Sequence, residues 1–364
     1  MSKKSKADKN AKEKLVEMGN RIIKEIESKK NPQIEIPIRS LSNIVYDEKT
    51  RSLVLGNKIS KRFLFNVAHA KKFMQTMIVA SFCKRLLDEN IHTSLRDMFY
   101  NLKRTLPNSN ENTFDDQSES DPIIVDLEVA LDVLREQLHL SADVRGRVVG
   151  KASIIDRGDV VDWSKLGSGG WAIPSNVEEI KFKKVDAKFI LVIEKNAAFE
   201  RLHEDRFWEK HKCILVTTQG QAARGCRRII QRLSEEFKLP VYVFCDSDPY
   251  GWYIYSVIKY GSMSLAHVSE RLGTPHAKYI GLTMSDIAEF GLEKFTIKAK
   301  EVDIKRAKDM LKYEWFKSKE WQKELKLLIE KKIKAELEAL SGRGLRFMTE
   351  EYLPKKIKNK EFLP

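Results

Sequence analysis

Two carboxylates one residue apart carry the clearest chemical signal in the chain. Val241–Gly251 reads VYVFCDSDPYG. Its β-branched and aromatic run predicts a buried strand through Cys245, and Asp246-Ser247-Asp248-Pro249 ends that strand in a turn. Glu194 occupies the same kind of place, directly after the apolar run FILVI of Phe189–Ile193. Ligands of open α/β sheets collect outside the carboxyl ends of strands, where the loops diverge. If these strands are neighbours, Glu194, Asp246 and Asp248 converge on one point. Three hard, anionic oxygen donors suit Mg²⁺, which keeps several waters and leaves room for phosphate oxygens. Asp-Ser-Asp-Pro is also ordinary turn chemistry, with an Asp capping a helix that begins near Pro249. For Asp-x-Asp alone the cap is the better reading; the matching acid at Glu194 reverses the balance.

A second constellation lies at Arg96, Asp97, Phe99 and Tyr100. Residues four apart share a helix face, so Arg96 and Tyr100 project together. A phenol is a poor nucleophile, but its phosphodiester stores a broken strand well, and a neighbouring guanidinium can hold the phosphate. Taken alone, a helical Arg-x-x-x-Tyr is a weak signal, and an amphipathic core tyrosine explains it more simply.

The elements that must position these groups fall into two kinds. From residue 186 to about 290 the pattern is βαβαβαβ. Strands are expected at 189–193, 213–216, 241–245 and 278–282, with helices at 199–210, 221–237 and 250–260, and such alternation builds a parallel sheet covered by helices. Upstream, Phe73, Met77, Ala80, Cys83 or Lys84, and Leu87 mark one face of a helix that Asn90 closes. Ser94 with Asp97 three residues later gives a capping-box spacing for the next helix, SLRDMFYNLKRTL. Helix, short turn and basic helix resemble a helix-turn-helix. Leu127, Leu131, Leu134 and Leu138 predict a third, buried helix after a polar loop at 108–120. Short strands with glycine turns follow, suited to a wing and a linker. Leu15, Met18, Ile22 and Ile26 form an apolar stripe on a basic N-terminal helix, which either packs on its own protein or docks on a partner subunit. Beyond residue 300 the chain reads as charged helix.

Composition limits the partners. There are 66 Lys+Arg against 52 Asp+Glu, a formal charge of +14 over 364 residues. That excess suits a phosphate-rich partner. No apolar run approaches the about 20 residues of a membrane span, and the polar start MSKKSKADKNAKEK does not resemble a signal peptide. Four scattered cysteines without a C-x-x-C pair suggest neither zinc nor disulfides and fit a reducing, cytoplasmic setting. Gly167–Gly170 lacks a following Lys-Ser or Lys-Thr, and with no P-loop the chain is not expected to bind ATP itself.

Taken together, HTSLRDMFYNLK, FILVIEK, QGQAARGCRRIIQRL, VYVFCDSDPYGWYIYSVIKYGS and AKYIGLTMSDI, in this order, resemble the A subunit of DNA topoisomerase VI, the archaeal type IIB enzyme related to the meiotic double-strand-break protein. The resemblance implies a CAP-like winged-helix domain with the nucleophile, then a Toprim-type parallel α/β domain with the metal site. Its division would be an N-terminal extension at 1–65, the winged helix at 66–150, wing and linker strands at 151–185 and the Toprim region at 186–364. It implies that Tyr100 attacks a DNA phosphate to give a 5′-phosphotyrosine, Arg96 binds that phosphate, Asp97 orders the helix, and Glu194, Asp246 and Asp248 hold Mg²⁺. Gly220, Arg224 and Arg228 would meet DNA phosphates. The implied assembly is A2B2, an A homodimer with two ATP-binding B subunits, working on double-stranded DNA in the nucleoid. Where relatives often have two adjacent tyrosines, this chain has Phe99, leaving Tyr100 as the only candidate. A Toprim nuclease or primase, and a non-enzymatic winged-helix DNA-binding protein, are the rival readings.

Overall fold

The computed structural model describes residues 3–364. The chain divides into two compact units. The first holds residues up to Val45, Leu55–Asp143 and Met263–His267; the second holds Tyr46–Val54, Val144–Ser262 and Val268–Pro364.

In the first unit, α1 (Lys3–Glu27), α2 (Val67–Glu89), α3 (Leu95–Leu102) and α4 (Gln117–Leu131) surround one apolar core. An antiparallel ribbon of Gln33–Pro37 with Ile59–Phe63 completes it. Leu15, Met18 and Ile22 of α1 are buried in this core, so the N-terminal stripe packs on its own protein; Ile26, the fourth expected member, is 48% exposed. Asn90 ends α2 in the left-handed region, as expected. The leucine stripe at 127–138 is not one helix. Asp132 turns left-handed at φ 47° and closes α4, and the buried Glu128 carboxylate accepts the Arg135 N–H at 2.7 Å, drawing the chain back. Leu138 still reaches the core, from a 3₁₀ turn rather than from the helix.

The second unit is built on a six-stranded sheet. We label β1 (Arg147–Gly150), β2 (Trp171–Ala172), β3 (Phe189–Ile193), β4 (Cys213–Thr217), β5 (Val241–Phe244) and β6 (Lys278–Gly281); their spatial order is β2-β1-β4-β3-β5-β6. The last four are mutually parallel, while β1 and β2 extend the edge antiparallel. β3 and β4 are buried along their whole length, which is why they read as unbroken apolar runs instead of alternating ones. Three helices, α5 (Asn196–Glu204), α6 (Arg224–Phe237) and α7 (Pro249–Tyr260), follow β3, β4 and β5.

Several expected boundaries shift. The helix expected at 199–210 begins at Asn196 and breaks at Arg206, left-handed at φ 51°, before a separate turn Phe207–Lys210. The helix expected at 221 begins at Arg224. β1, expected to belong with the winged helix, pairs with β4 of the second unit. Strands Ala152–Asp156, Asp159–Asp162 and Lys181–Val185 form a small sheet of their own. Beyond residue 300, helices Glu301–Met310 and Lys319–Lys331 give way to an extended segment from Ile333.

Candidate active site

The order of the parallel strands places the acids. β3 leads to β4 on one side, and β5 leads to β6 on the other, so the connections diverge between neighbours β3 and β5. This is a topological switch point, where an α/β sheet opens a crevice. Ile193 pairs with Phe244 across it, so Glu194 and the 245–248 loop leave the sheet side by side. The Glu194 carboxylate accepts the Asp246 N–H at 3.4 Å. Gly251 tightens the loop against α7, since a Cβ there would lie 2.6 Å from the Asp246 carbonyl oxygen.

Each acid sits in a different network. Asp246, 8% exposed, accepts the Leu337 N–H at 2.8 Å through Oδ1, and its Oδ2 lies 3.2 Å from Lys195 Nζ. Asp248 does cap α7, accepting the Tyr250 and Gly251 N–H groups at 2.9 and 2.8 Å through Oδ1. Its Oδ2 lies 3.5 Å from Lys334 Nζ. The cap and the metal-site readings are thus compatible, because they use different oxygens. Burial, and then the negative charges of Asp246 and Asp248, push Glu194 up to about 7. Burial and the charge of Asp248 push Asp246 up to about 6, against the lowering influence of Lys195 and the Leu337 N–H.

Burial makes the ionised form of these carboxylates costly, and a bound cation would offset that cost. Hard oxygen donors in that condition fit a divalent cation such as Mg²⁺. Among the described residues, no group of three or more His, Cys, Asp and Glu side chains is already closed around one point. The three acids are neighbours, but lysines stand on two of them.

The tyrosine helix is built differently. Ser94 caps α3, its hydroxyl accepting the Asp97 N–H at 3.0 Å. Thr93–Ser94 also pairs with Leu140–Ser141, which fixes the helix start. Thr113 ends the helix early by donating to the Leu102 carbonyl at 2.5 Å, so Lys103–Leu106 lie outside it. Met98 and Phe99 are buried while Arg96, Asp97 and Tyr100 face solvent. Tyr100 is 60% exposed, and the Arg96 guanidinium carbon lies 5.9 Å from its ring centroid. The Asp97 carboxylate accepts the Thr93 hydroxyl at 3.4 Å.

Three family descriptions match successive parts of the chain: "Type IIB DNA topoisomerase" over residues 71–140, "All-beta domain in DNA topoisomerase VI alpha subunit" over 145–186, and the Toprim domain shared by Spo11 and the topoisomerase 6 A subunit over 189–357. Curated relatives, each named as the A subunit of type 2 DNA topoisomerase 6, extend the match to nearly the whole length. The Pyrococcus abyssi protein is 48% identical, covering 96% of this chain and 94% of the relative. The Hyperthermus butylicus protein is 44% identical, over 94% and 93%, and the Methanocaldococcus jannaschii protein 43% identical, over 96% and 95%. The chain belongs to the topoisomerase VI A-subunit family.

As a topoisomerase VI A subunit it is an enzyme of the type IIB DNA topoisomerase class, of mixed α/β architecture with a Toprim domain. No described helix is long and apolar enough to cross a membrane. Gly220 stands at φ 92° with open space where a Cβ would lie, its N–H donated to the Glu194 carbonyl at 3.0 Å. The two arginines expected beside it lie on α6. Arg224 is 8% exposed, and Arg228 pairs with Glu178 at 2.6 and 3.1 Å and donates to the Arg271 carbonyl. Sequence reasoning missed Lys195, Lys334 and the Lys334–Glu338 segment. Lys195 was legible as the neighbour of Glu194; Lys334 had no local signal.

Proposed function

We propose that this chain is the DNA-cleaving and rejoining subunit of an ATP-dependent type IIB topoisomerase, with Tyr100 as its nucleophile. The observation that carries this reading is the sorting of α3: Phe99 goes to the core, while Tyr100 stands in solvent with Arg96 beside it. The Tyr100 hydroxyl oxygen forms a bond to a backbone phosphorus as the P–O3′ bond breaks. The phenolic proton is lost and the 3′ oxygen leaves as a hydroxyl, giving a 5′-phosphotyrosine. One phosphodiester replaces another, so resealing needs no high-energy cofactor. Arg96 holds the phosphate, a task its planar donor fork suits, and Asp97 orders the first turn of α3. Glu194, Asp246 and Asp248 would hold Mg²⁺, which supplies Lewis-acid stabilisation of phosphate oxygens when bound.

The α2–α3 pair reads as the helix-turn-helix of a CAP-like winged helix, and the net positive charge suits duplex DNA. One tyrosine cuts one strand, so a double-strand break takes two copies. The partner implied by the relatives' name is a B subunit, which would bind ATP within an A2B2 assembly in the cytoplasm.

The test is covalent trapping. The chain, its B subunit, ATP, Mg²⁺ and duplex DNA are mixed and rapidly denatured, and protein attached to 5′ ends is sought. Attachment that disappears in Tyr100→Phe supports the transesterase. Free cut ends that persist in that variant overturn it in favour of a nuclease, and intact binding without cleavage favours a DNA-binding module.

A further inference from the structure

The extended segment after Ile333 crosses the acidic loop. Ser247 and Ala335 exchange backbone hydrogen bonds at 2.8 and 3.2 Å, and the Leu337 N–H reaches Asp246. Two ammonium groups enter with this arrangement. Lys195 Nζ lies 3.2 Å from Asp246 Oδ2, and also 3.0 Å from Glu336 and 2.8 Å from Glu338. Lys334 Nζ lies 3.5 Å from Asp248 Oδ2 and 3.1 Å from Asp303 Oδ2. Each lysine therefore touches one candidate metal ligand and at least one acid outside the candidate set.

We propose that Lys195 and Lys334 are built-in counter-ions that compete with a divalent cation for Asp246 and Asp248, and that each retreats onto its second acid when the cation enters. This rests on reading the three acids as the metal-holding set. The physical basis is charge. A divalent cation on Asp246 or Asp248 would stand beside an ammonium at contact distance, and like charges in a half-buried site repel strongly. Glu336 and Glu338 on one side, and Asp303 on the other, let each ammonium give up its first partner without being stranded. The lysines act through the acids and are positioning residues. They keep the carboxylates from splaying apart before the metal arrives, and they weaken metal binding as a consequence.

The test is Mn²⁺ binding to the full chain without DNA, followed by loss of the free-ion EPR signal. Lys195→Met and Lys334→Met should each bind Mn²⁺ about tenfold more tightly than the native chain, because a like charge has been removed from the site. Lys195→Arg, which keeps the charge, should stay near the native affinity. Lys195→Gln carries the same expectation as Lys195→Met if the latter does not fold. Unchanged or weaker binding in the Met variants, with Asp246→Asn abolishing binding, overturns the competition and leaves the metal site standing. Native binding that Asp246→Asn does not reduce overturns the metal reading itself.

Discussion

The tyrosine helix and the acidic loop hold their candidate groups in opposite ways. On α3 the candidate face lies in water and is fixed from underneath. Met98 and Phe99 anchor the helix, Ser94 caps it, and Tyr100 is 60% exposed. At the switch point the candidate acids are themselves part of the structure. Asp246 is buried and bonded to Leu337, Asp248 caps α7, and Glu194 receives the Asp246 N–H. An exposed group can be changed without unsettling the fold, whereas a buried acid cannot lose its charge without altering both stability and chemistry.

The largest contrast is expected between Tyr100→Phe and Asp246→Asn. Tyr100→Phe should abolish covalent attachment while moving stability by no more than about 0.5 kcal/mol, the usual range for a surface change. Asp246→Asn should also lose cleavage, but with a shift in melting temperature measured in chelator. A Tyr100→Phe variant that melts as differently as Asp246→Asn does would erase the distinction between the two regions.

Gly251→Ala tests the loop without touching a charge. The added methyl would meet the Asp246 carbonyl, and relief requires moving backbone. A loss of about 2 kcal/mol follows from overpacking of this kind, together with weaker Mn²⁺ binding. A stability loss with native Mn²⁺ affinity would mean that the loop geometry tolerates displacement.

Glu194→Gln isolates the charge deficit. Glu194 titrates near 7 in the folded chain against an ordinary value of 4.5. The folded state therefore binds its proton more tightly, and in chelator stability falls as pH rises from about 4.5 to about 7, then stays low. Replacement by Gln removes that loss. The variant should be more stable than the native chain by about 3 kcal/mol at pH 8, with the gap closing as pH falls toward 4.5. Excess Mg²⁺ should narrow the gap at pH 8, since the cation stabilises only the ionised form. Parallel pH profiles for the two proteins would remove the buried-charge account of the loop.

Much of this was legible in the sequence, for physical reasons that also mark its limits. FILVI and VYVF announced themselves because a strand buried on both faces has no polar positions to interrupt it. The acids were legible because they terminate those runs. Arg96 and Tyr100 share a face by helical spacing alone. What escaped were contacts between residues far apart in the chain, such as Leu337 with Asp246 and Lys334 with Asp248. No local periodicity encodes them, and the run of Lys and Glu around residue 334 reads as solvated helix. The leucine stripe failed for a related reason. Spacing put Leu134 on the same helix face as Leu127 and Leu131, but Glu128 found a better partner in the Arg135 N–H and closed the helix early.

The smallest expected effect falls on the cap of α3. Ser94→Ala removes the hydroxyl that accepts the Asp97 N–H, which costs about 1 kcal/mol at a helix start. α3 has only eight residues, so one fewer cap bond should fray its first turn, where Arg96 and Asp97 lie. Phe99 and Met98 hold the following turn in the core, so Tyr100 itself should stay in place. The expected result is a modest loss of stability with a larger loss of cleavage, restored by Ser94→Asp, which offers an accepting oxygen at the same position. If cleavage falls only in proportion to the folded fraction, the first turn contributes no more than helix stability, and Arg96 is not the group that holds the phosphate.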